Sequence, residues 1–114
     1  DNQFYWYIRP QETGNKTDVR WLALLNSEGE GVKITGLQPI AFSALHFSPE
    51  DLDPGLTRKL QHTIDIVPQK NIFLHVDLKQ RGLGGDNSWG MYPHNKYRLL
   101  DKKYVYSYMI ELID

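Results

Sequence analysis

Cysteine is absent from the 114 residues of this sequence, which excludes a disulfide framework, a cysteine-ligated zinc site and a thiol nucleophile. The sequence also contains no signal peptide and no apolar run long enough to cross a bilayer as a helix. Neither sign of charge is in excess, since 13 basic residues stand against 14 acidic ones. We therefore expect binding neither to nucleic acid nor to an anionic membrane.

Aromatic residues, in contrast, are plentiful, with three Trp, seven Tyr and four Phe. The dominant hydrophobic period is two, which is typical of strands with one buried face. We predict a hairpin loop over residues 26–31, and strands over residues 4–8, 19–26, 32–37, 40–47, 62–67, 72–80, 97–100 and 104–112. These short strands predict an all-β fold, an antiparallel β-sandwich that residues 1–114 form as a single segment. Because the first and last strands touch the chain ends, we expect a segment of something longer.

One short helix is predicted where Ser48 precedes Pro49. Ser48 suits the N-cap position, Pro49 the first helical residue, and Asp51 the reciprocal partner of a capping box. Pro54 and Gly55 follow within about one turn, and a proline cannot continue the helix. The helix should therefore be only about a turn long.

The rest of the chain is organised around a glycine-rich loop over residues 80–90. Its glycines leave the backbone free to take positive φ and tight reversals, and its small polar side chains can bond to nearby amides and fix a turn. The loop-shaping candidates are Gly82, Gly84, Gly85, Asp86, Asn87 and Ser88. The glycine spacing does not give the dinucleotide-binding fingerprint and no helical period follows, so a nucleotide site is excluded.

Trp89 ends this loop and has two interpretations of equal weight. Its indole either folds back as a plug on a sheet, or it meets a ligand. The ligand interpretation suits a sugar, because the face of an indole packs on the apolar C–H face of a pyranose. The residues alone leave both alternatives open.

Other groups that could carry chemistry favour structural roles. His75 and Asp77 share one strand face but have no third metal ligand, which favours a polar outer face. His46 is predicted to be a partly buried, hydrogen-bonded imidazole. We expect Asp86 to bond to backbone amides of its turn rather than to act in catalysis, and no motif places a pair of carboxylates for glycoside hydrolysis. Asn15 begins a glycosylation sequon that arises often by chance.

Two motifs, Arg9–Trp21 and Gly82–Gly90, resemble one family, and residues 42–44 and 97–99 follow the same layout. The chain resembles the C-terminal part, the small chain or domain 5, of bacterial β-galactosidases of glycoside hydrolase family two. The resemblance covers nearly the whole chain. Asn87 stands where the family often has an acid, and Lys16 where it often has an arginine. No chemical role is assigned to the Pro10–Trp21 motif, which we interpret as a fold-bearing loop.

The resemblance implies a galactose-mutarotase-like supersandwich of which this chain is the later portion. It also implies that terminal β-D-galactosides are hydrolysed with retention by glutamates of a TIM-barrel domain absent from this chain. Trp89 would then reach the mouth of that barrel as a substrate-binding residue. Mg and a monovalent cation would be bound elsewhere, with no cofactor and no metal site in this segment. The partners implied are the other domains of the polypeptide, the galactoside and further copies in a homo-oligomer, in the bacterial cytoplasm or else the periplasm.

Two alternatives from other functional classes stay open. The chain could be a freestanding carbohydrate-binding β-sandwich, or a purely structural domain at an oligomer interface. A platform of two or three coplanar aromatic rings would favour the binding module. A single tryptophan on a loop favours the accessory role in a larger enzyme.

Overall fold

The computed structural model describes residues 14–53, 55–56, 65–82, 85–87 and 89–114. The strand predicted over residues 4–8 lies outside these residues, as do residues 9–13 of the Arg9–Trp21 motif. The described strands are β1 (Lys16–Leu25), β2 (Gly31–Leu45), β3 (Phe73–Asp77) and β4 (Tyr108–Ile113). A single α-helical turn, α1, covers Pro49–Leu52, and a 3₁₀ turn covers Asn95–Tyr97.

The strands join in one sheet in the order β1-β2-β3, and β4 also pairs with β2. The pairing of β2 with β4 is antiparallel and runs from Gly31 opposite Ile113 to Gly36 opposite Tyr108. The predicted all-β, antiparallel class with very little helix is therefore confirmed. None of the described helices is both long and apolar enough to span a membrane.

Residue contacts divide the chain into two compact units. The first consists of Asp1–Lys16 and Phe42–Val76, the second of Thr17–Ala41 and Asp77–Asp114. Strand β2 contributes residues to both. The prediction of one domain over residues 1–114 stays a prediction.

The β1–β2 hairpin of the second unit is closed by Asn26. Its side-chain oxygen accepts hydrogen bonds from the backbone N–H groups of Glu28 and Glu30, both at 2.9 Å, and its own N–H donates to the Glu30 carbonyl at 2.8 Å. Gly29 takes a φ of 89° in the turn, a conformation that glycine adopts without strain. The hairpin loop predicted over residues 26–31 is confirmed.

Strand β2 runs through Pro39, so the prediction of two separate strands over residues 32–37 and 40–47 was wrong. Proline has no N–H for a sheet ladder and usually marks an edge or an end. Here bonds from outside the strand hold the preceding residues. The Leu37 N–H donates to the Ser107 carbonyl at 3.0 Å, and the Gln38 side chain bonds to the Ser107 backbone in both directions at 3.1 Å.

Three further strand predictions differ from the structure. Residues 97–100 contain no strand, because Asn95–Tyr97 forms the 3₁₀ turn. The strand predicted over residues 104–112 begins only at Tyr108. Of the strand predicted over residues 62–67, the described residues 65–67 are not extended in a ladder, and the others lie outside the described part of the chain.

The helical turn α1 of the first unit follows its sequence prediction closely. The Ser48 hydroxyl accepts from the Asp51 N–H at 3.1 Å, and the Asp51 carboxylate accepts from the Ser48 N–H at 2.8 Å. Both halves of the capping box are thus present. His46 is half-buried and its Nδ1 lies 2.9 Å from the Gln69 carbonyl, which confirms the interpretation of a hydrogen-bonded imidazole.

Each unit has a small buried core. Among the described residues, the buried apolar side chains of the second unit are Leu22, Ile34, Ile40 and Ala41, and those of the first are Phe47 and Ile66. Many other large apolar side chains are exposed, above all along β4. Ile34 is 3% exposed, whereas Ile110, directly opposite it in the β2–β4 pairing, is 61% exposed.

Candidate functional site

The glycine-rich loop belongs to the second unit, and its base is closed by a backbone hydrogen bond. The Gly82 N–H donates to the Tyr97 carbonyl at 2.7 Å. A Cβ atom at position 82 would lie 2.7 Å from the Cβ of Tyr97, closer than carbon atoms approach without a shift. Glycine at this position is therefore required by the close approach of the two sides of the loop.

Gly85 meets the returning chain farther along the loop. A Cβ atom at position 85 would lie 2.5 Å from the carbonyl oxygen of Met91. Because that neighbour is backbone, it cannot move aside as a side chain would. Two other predicted loop-shaping residues, Gly84 and Ser88, lie outside the described residues.

Asn87 fixes the backbone at the tip. Its side-chain oxygen accepts a hydrogen bond from the Trp89 N–H at 2.9 Å, the local pattern typical of an Asx turn. Gly90 follows with a φ of 107°, which lets the chain reverse directly after the tryptophan. This bond to a nearby amide is of the kind expected for the turn-fixing role predicted for Asn87.

Trp89 itself stands out from the loop, with 91% of its surface exposed. An indole that plugs a core loses most of its exposed surface, so the plug interpretation does not hold for this chain. The ring is instead available to a ligand or to another part of a larger molecule. Its role in substrate binding stays a prediction.

Asp86 has a partner that sequence reasoning missed. Its Oδ1 lies 2.9 Å from Nε2 of His94, whereas we had expected bonds to amides of its own turn. Both side chains are largely exposed, His94 at 63% and Asp86 at 70%. The sequence offered one signal for this pair: His94 follows the loop by a few residues and comes directly after Pro93, which is buried.

Basic side chains stack on the tyrosines beside the loop, which sequence reasoning also missed. The guanidinium carbon of Arg98 lies 4.6 Å from the ring centre of Tyr92, and that of Arg81 lies 5.9 Å from it. Lys96 lies 4.6 Å from the ring centre of Tyr97. Such cation–π contacts occupy the faces of these rings, so the tyrosines near the loop do not form a free stacking platform with Trp89.

The remaining candidates do not join this site. Asp77 accepts a hydrogen bond from the Gln80 side chain at 3.1 Å, and His75 is exposed on β3. Within the described ranges no three His, Cys, Asp or Glu side chains converge on a position for a metal ion. In the first unit, Gly14 of the Pro10–Trp21 motif has a φ of 72°, and a Cβ there would lie 2.8 Å from a methyl carbon of Leu45 in β2.

Comparison with known proteins gives consistent matches. A family profile described as beta galactosidase small chain matches residues 1–110. A beta-galactosidase of Priestia megaterium is 40% identical over 93 residues, which is 82% of this chain. The beta-galactosidase BgaC of Bifidobacterium adolescentis is 36% identical over 96 residues, again 82% of this chain. A beta-galactosidase of Streptococcus thermophilus is 30% identical over 113 residues, or 97% of this chain.

These relatives are much longer than the chain. It spans 8% of the length of the Priestia protein, 9% of the Bifidobacterium protein and 10% of the Streptococcus protein. The similarity is therefore to one small part of each relative.

Proposed function

The chain belongs to the beta galactosidase small chain family, and from this premise we propose that it is a non-catalytic segment of a larger β-galactosidase. The larger enzyme would hydrolyse terminal β-D-galactosides with retention. Its catalytic glutamates would lie in a TIM-barrel domain of the same polypeptide, together with the sites for Mg and a monovalent cation. This segment would supply Trp89 to the substrate site.

One observation carries the part assigned to Trp89. A large apolar ring is 91% exposed at the tip of a loop whose backbone is held at Gly82, Gly85 and Asn87. Tryptophan is enriched where proteins meet partners, because its ring can bury a large apolar area while its N–H still finds a hydrogen bond. A planar ring that meets a pyranose covers the apolar C–H face of the sugar, so a galactoside suits this position.

The rings of the described residues support the accessory role over a freestanding carbohydrate-binding module. Tyr92 and Tyr97, the tyrosines next to the loop, have cations on their faces. The pair formed by Tyr106 and Tyr108 is tilted by 37° and so does not form a coplanar platform. The third alternative, a structural domain at an oligomer interface, predicts that loss of Trp89 lowers the stability of the oligomer and leaves KM unchanged.

The test compares Trp89→Leu with Trp89→Phe in the full-length enzyme. If the ring packs on the sugar in the ground state and in the transition state alike, its loss removes uniform binding and raises KM with little change in kcat. An aromatic contact contributes about 0.5–1.5 kcal/mol beyond area burial, so Trp89→Leu should raise KM roughly three- to tenfold. Trp89→Phe should keep part of the binding, because a smaller ring still offers a flat apolar face.

Thermal midpoints measured on the same variants provide the control. An enzyme with wild-type KM and a lowered midpoint would show that Trp89 packs against another domain and does not touch substrate. An enzyme with wild-type KM and a lowered oligomer stability would favour the interface domain. A raised KM with an unchanged midpoint would support the substrate role.

A further inference from the structure

Contacts join the two sides of the glycine-rich loop at its base, in its middle and near its tip. At the base, Gly82 bonds to Tyr97. In the middle, Gly85 lies against the Met91 carbonyl. Near the tip, a side-chain pair, Asp86 with His94, links the two sides across Trp89.

The Asp86–His94 link differs from the others because it uses side chains. A carboxylate only accepts hydrogen bonds, so Nε2 of His94 carries the hydrogen and donates it to Oδ1 of Asp86 across 2.9 Å. The pair spans eight residues of the chain and encloses the tip in a ring closed by one hydrogen bond. Gly90, at a φ of 107°, lies within that ring and would otherwise leave the tip free to turn.

The link continues directly to Trp89. Asp86 is followed by Asn87, and the Asn87 side chain holds the Trp89 N–H at 2.9 Å. Fixing Asp86 therefore restricts the residue that in turn fixes the backbone of the tryptophan. His94 would therefore act on Trp89 through Asp86 and Asn87 and not through a direct contact with the indole.

We propose that His94 and Asp86 are positioning residues that hold the Trp89 ring in the orientation in which it meets the sugar. This inference rests on the proposed function, and it adds a pair of residues to the substrate site that act through Trp89. An aromatic face binds a pyranose well only when the two planes are aligned, so a loop held in advance loses less conformational freedom on binding.

The expected effect is small but measurable. An exposed side-chain pair contributes little by itself, and removing it leaves the indole present but less well oriented. We expect His94→Phe, which keeps a ring and removes the donor, to raise KM about two- to fivefold with kcat nearly unchanged. Asp86→Ala should do the same, and the double variant should be no worse than either single one.

Two further comparisons separate positioning of the ring from a general structural effect. One uses a variant of His94 that keeps a hydrogen-bond donor, and the other repeats His94→Phe in an enzyme that lacks the Trp89 ring. His94→Gln places an amide N–H near the position of Nε2 and should restore most of the wild-type KM. In a Trp89→Leu background, His94→Phe should raise KM no further, because there is no ring left to orient. His75→Phe, which changes an exposed histidine of β3, is the matched control and should leave KM unchanged.

Hydrogen exchange supplies a readout that does not involve sugar. In the full-length enzyme, the peptide containing Asn87 and Trp89 should exchange faster in His94→Phe than in wild type, and at the wild-type rate in His94→Gln. The Trp89 amide is the group that should lose protection, since Asn87 holds it. If His94→Phe does not yield folded enzyme, the same exchange measurement is made on Asp86→Ala.

The outcomes distinguish the two proposals. If Trp89→Leu raises KM and His94→Phe changes neither KM nor exchange, the positioning role is overturned and the proposed function stands. If His94→Phe raises KM equally with and without Trp89, the pair acts on something other than the ring, and the positioning role is again overturned. If Trp89→Leu leaves KM at the wild-type value, the proposed function fails and this inference fails with it.

Discussion

At the scale of single residues, glycines shape the loop in two ways: some have no Cβ where the chain approaches closely, and one adopts a positive φ. The backbone of Gly85 comes so close to the Met91 carbonyl that no Cβ fits between them. Gly90, in contrast, has open space around its missing Cβ but a φ of 107°. The same residue type thus serves close approach at one position and an unusual backbone conformation at the other.

This difference predicts the effect of Gly85→Ala. The added methyl group would meet a backbone oxygen at 2.5 Å, so the two sides of the loop must separate, at the roughly 1–3 kcal/mol typical of overpacking. We expect faster hydrogen exchange at the Trp89 amide. Gly29→Ala is the control for a strained glycine substitution outside the loop, since Gly29 has a φ of 89° in the β1–β2 turn and a Cβ there would meet nothing within 4 Å. Equal exchange of the loop peptide in both variants would contradict the prediction.

At the scale of elements, the sequence predicts what local chemistry decides. The β1–β2 hairpin follows from Asn26 and Gly29, and α1 follows from Ser48, Pro49 and Asp51, all within a few residues of one another. The unbroken β2 could not be predicted in this way, because the bonds beside Pro39 come from Ser107, 69 residues from Gln38.

The same distinction between local and long-range contacts applies to the candidate site. The loop, its turn residues and the prominence of Trp89 could be predicted from composition and from family resemblance. The Asp86–His94 pair and the stacking of Arg81 and Arg98 on Tyr92 could not. These contacts depend on how the returning chain lies against the loop, and no period or motif in the sequence encodes that.

The capping box of α1 predicts a pH dependence. The backbone N–H of Ser48, above all, holds the pKa of the Asp51 carboxyl below its ordinary value. Desolvation opposes this shift, and the Gln69 side chain and the Ser48 hydroxyl add to the lowering. Because the pKa is depressed in the folded state, Asp51 stabilises the turn at pH above its unfolded value of about 4. That stabilisation is lost as the pH falls through the folded-state pKa.

We therefore expect Asp51→Asn to speed hydrogen exchange in the Ser48–Asp53 peptide at neutral pH. The ratio of variant to wild-type rates should approach one as the pH falls through the lowered folded-state pKa of Asp51, because below that pKa the wild-type carboxyl is also protonated. Glu50→Gln removes an acid from the same turn and is the control. A ratio that stays constant from pH 7 to pH 3 would show that the carboxylate charge is not what stabilises the turn.

At the scale of the whole molecule, many large apolar side chains of the described residues are exposed. Successive residues of β4 are exposed, among them Tyr108, Met109, Ile110 and Leu112, although period-two patterning predicted a strand with one face buried. Neighbouring exposed apolar side chains are typical of surfaces that meet another domain or protein. In the proposed function the other domains of the polypeptide cover it, which agrees with a chain that spans 8% of the first relative's length.

The same proposal predicts that the 114-residue chain alone does not hydrolyse galactosides. Retaining hydrolysis needs two carboxyl groups about 5–5.5 Å apart on either side of the scissile bond, and the proposal assigns both to a domain that this chain does not contain. Asp86, the acid nearest Trp89 in sequence, is hydrogen-bonded to His94. The measurement is turnover of a chromogenic β-galactoside by highly purified chain, with the full-length enzyme as the positive control. Turnover alone could come from a contaminating enzyme, so the decisive comparison is with Asp86→Ala. If the purified chain turns over the galactoside and Asp86→Ala abolishes that activity, the segment is itself catalytic and the accessory role is wrong.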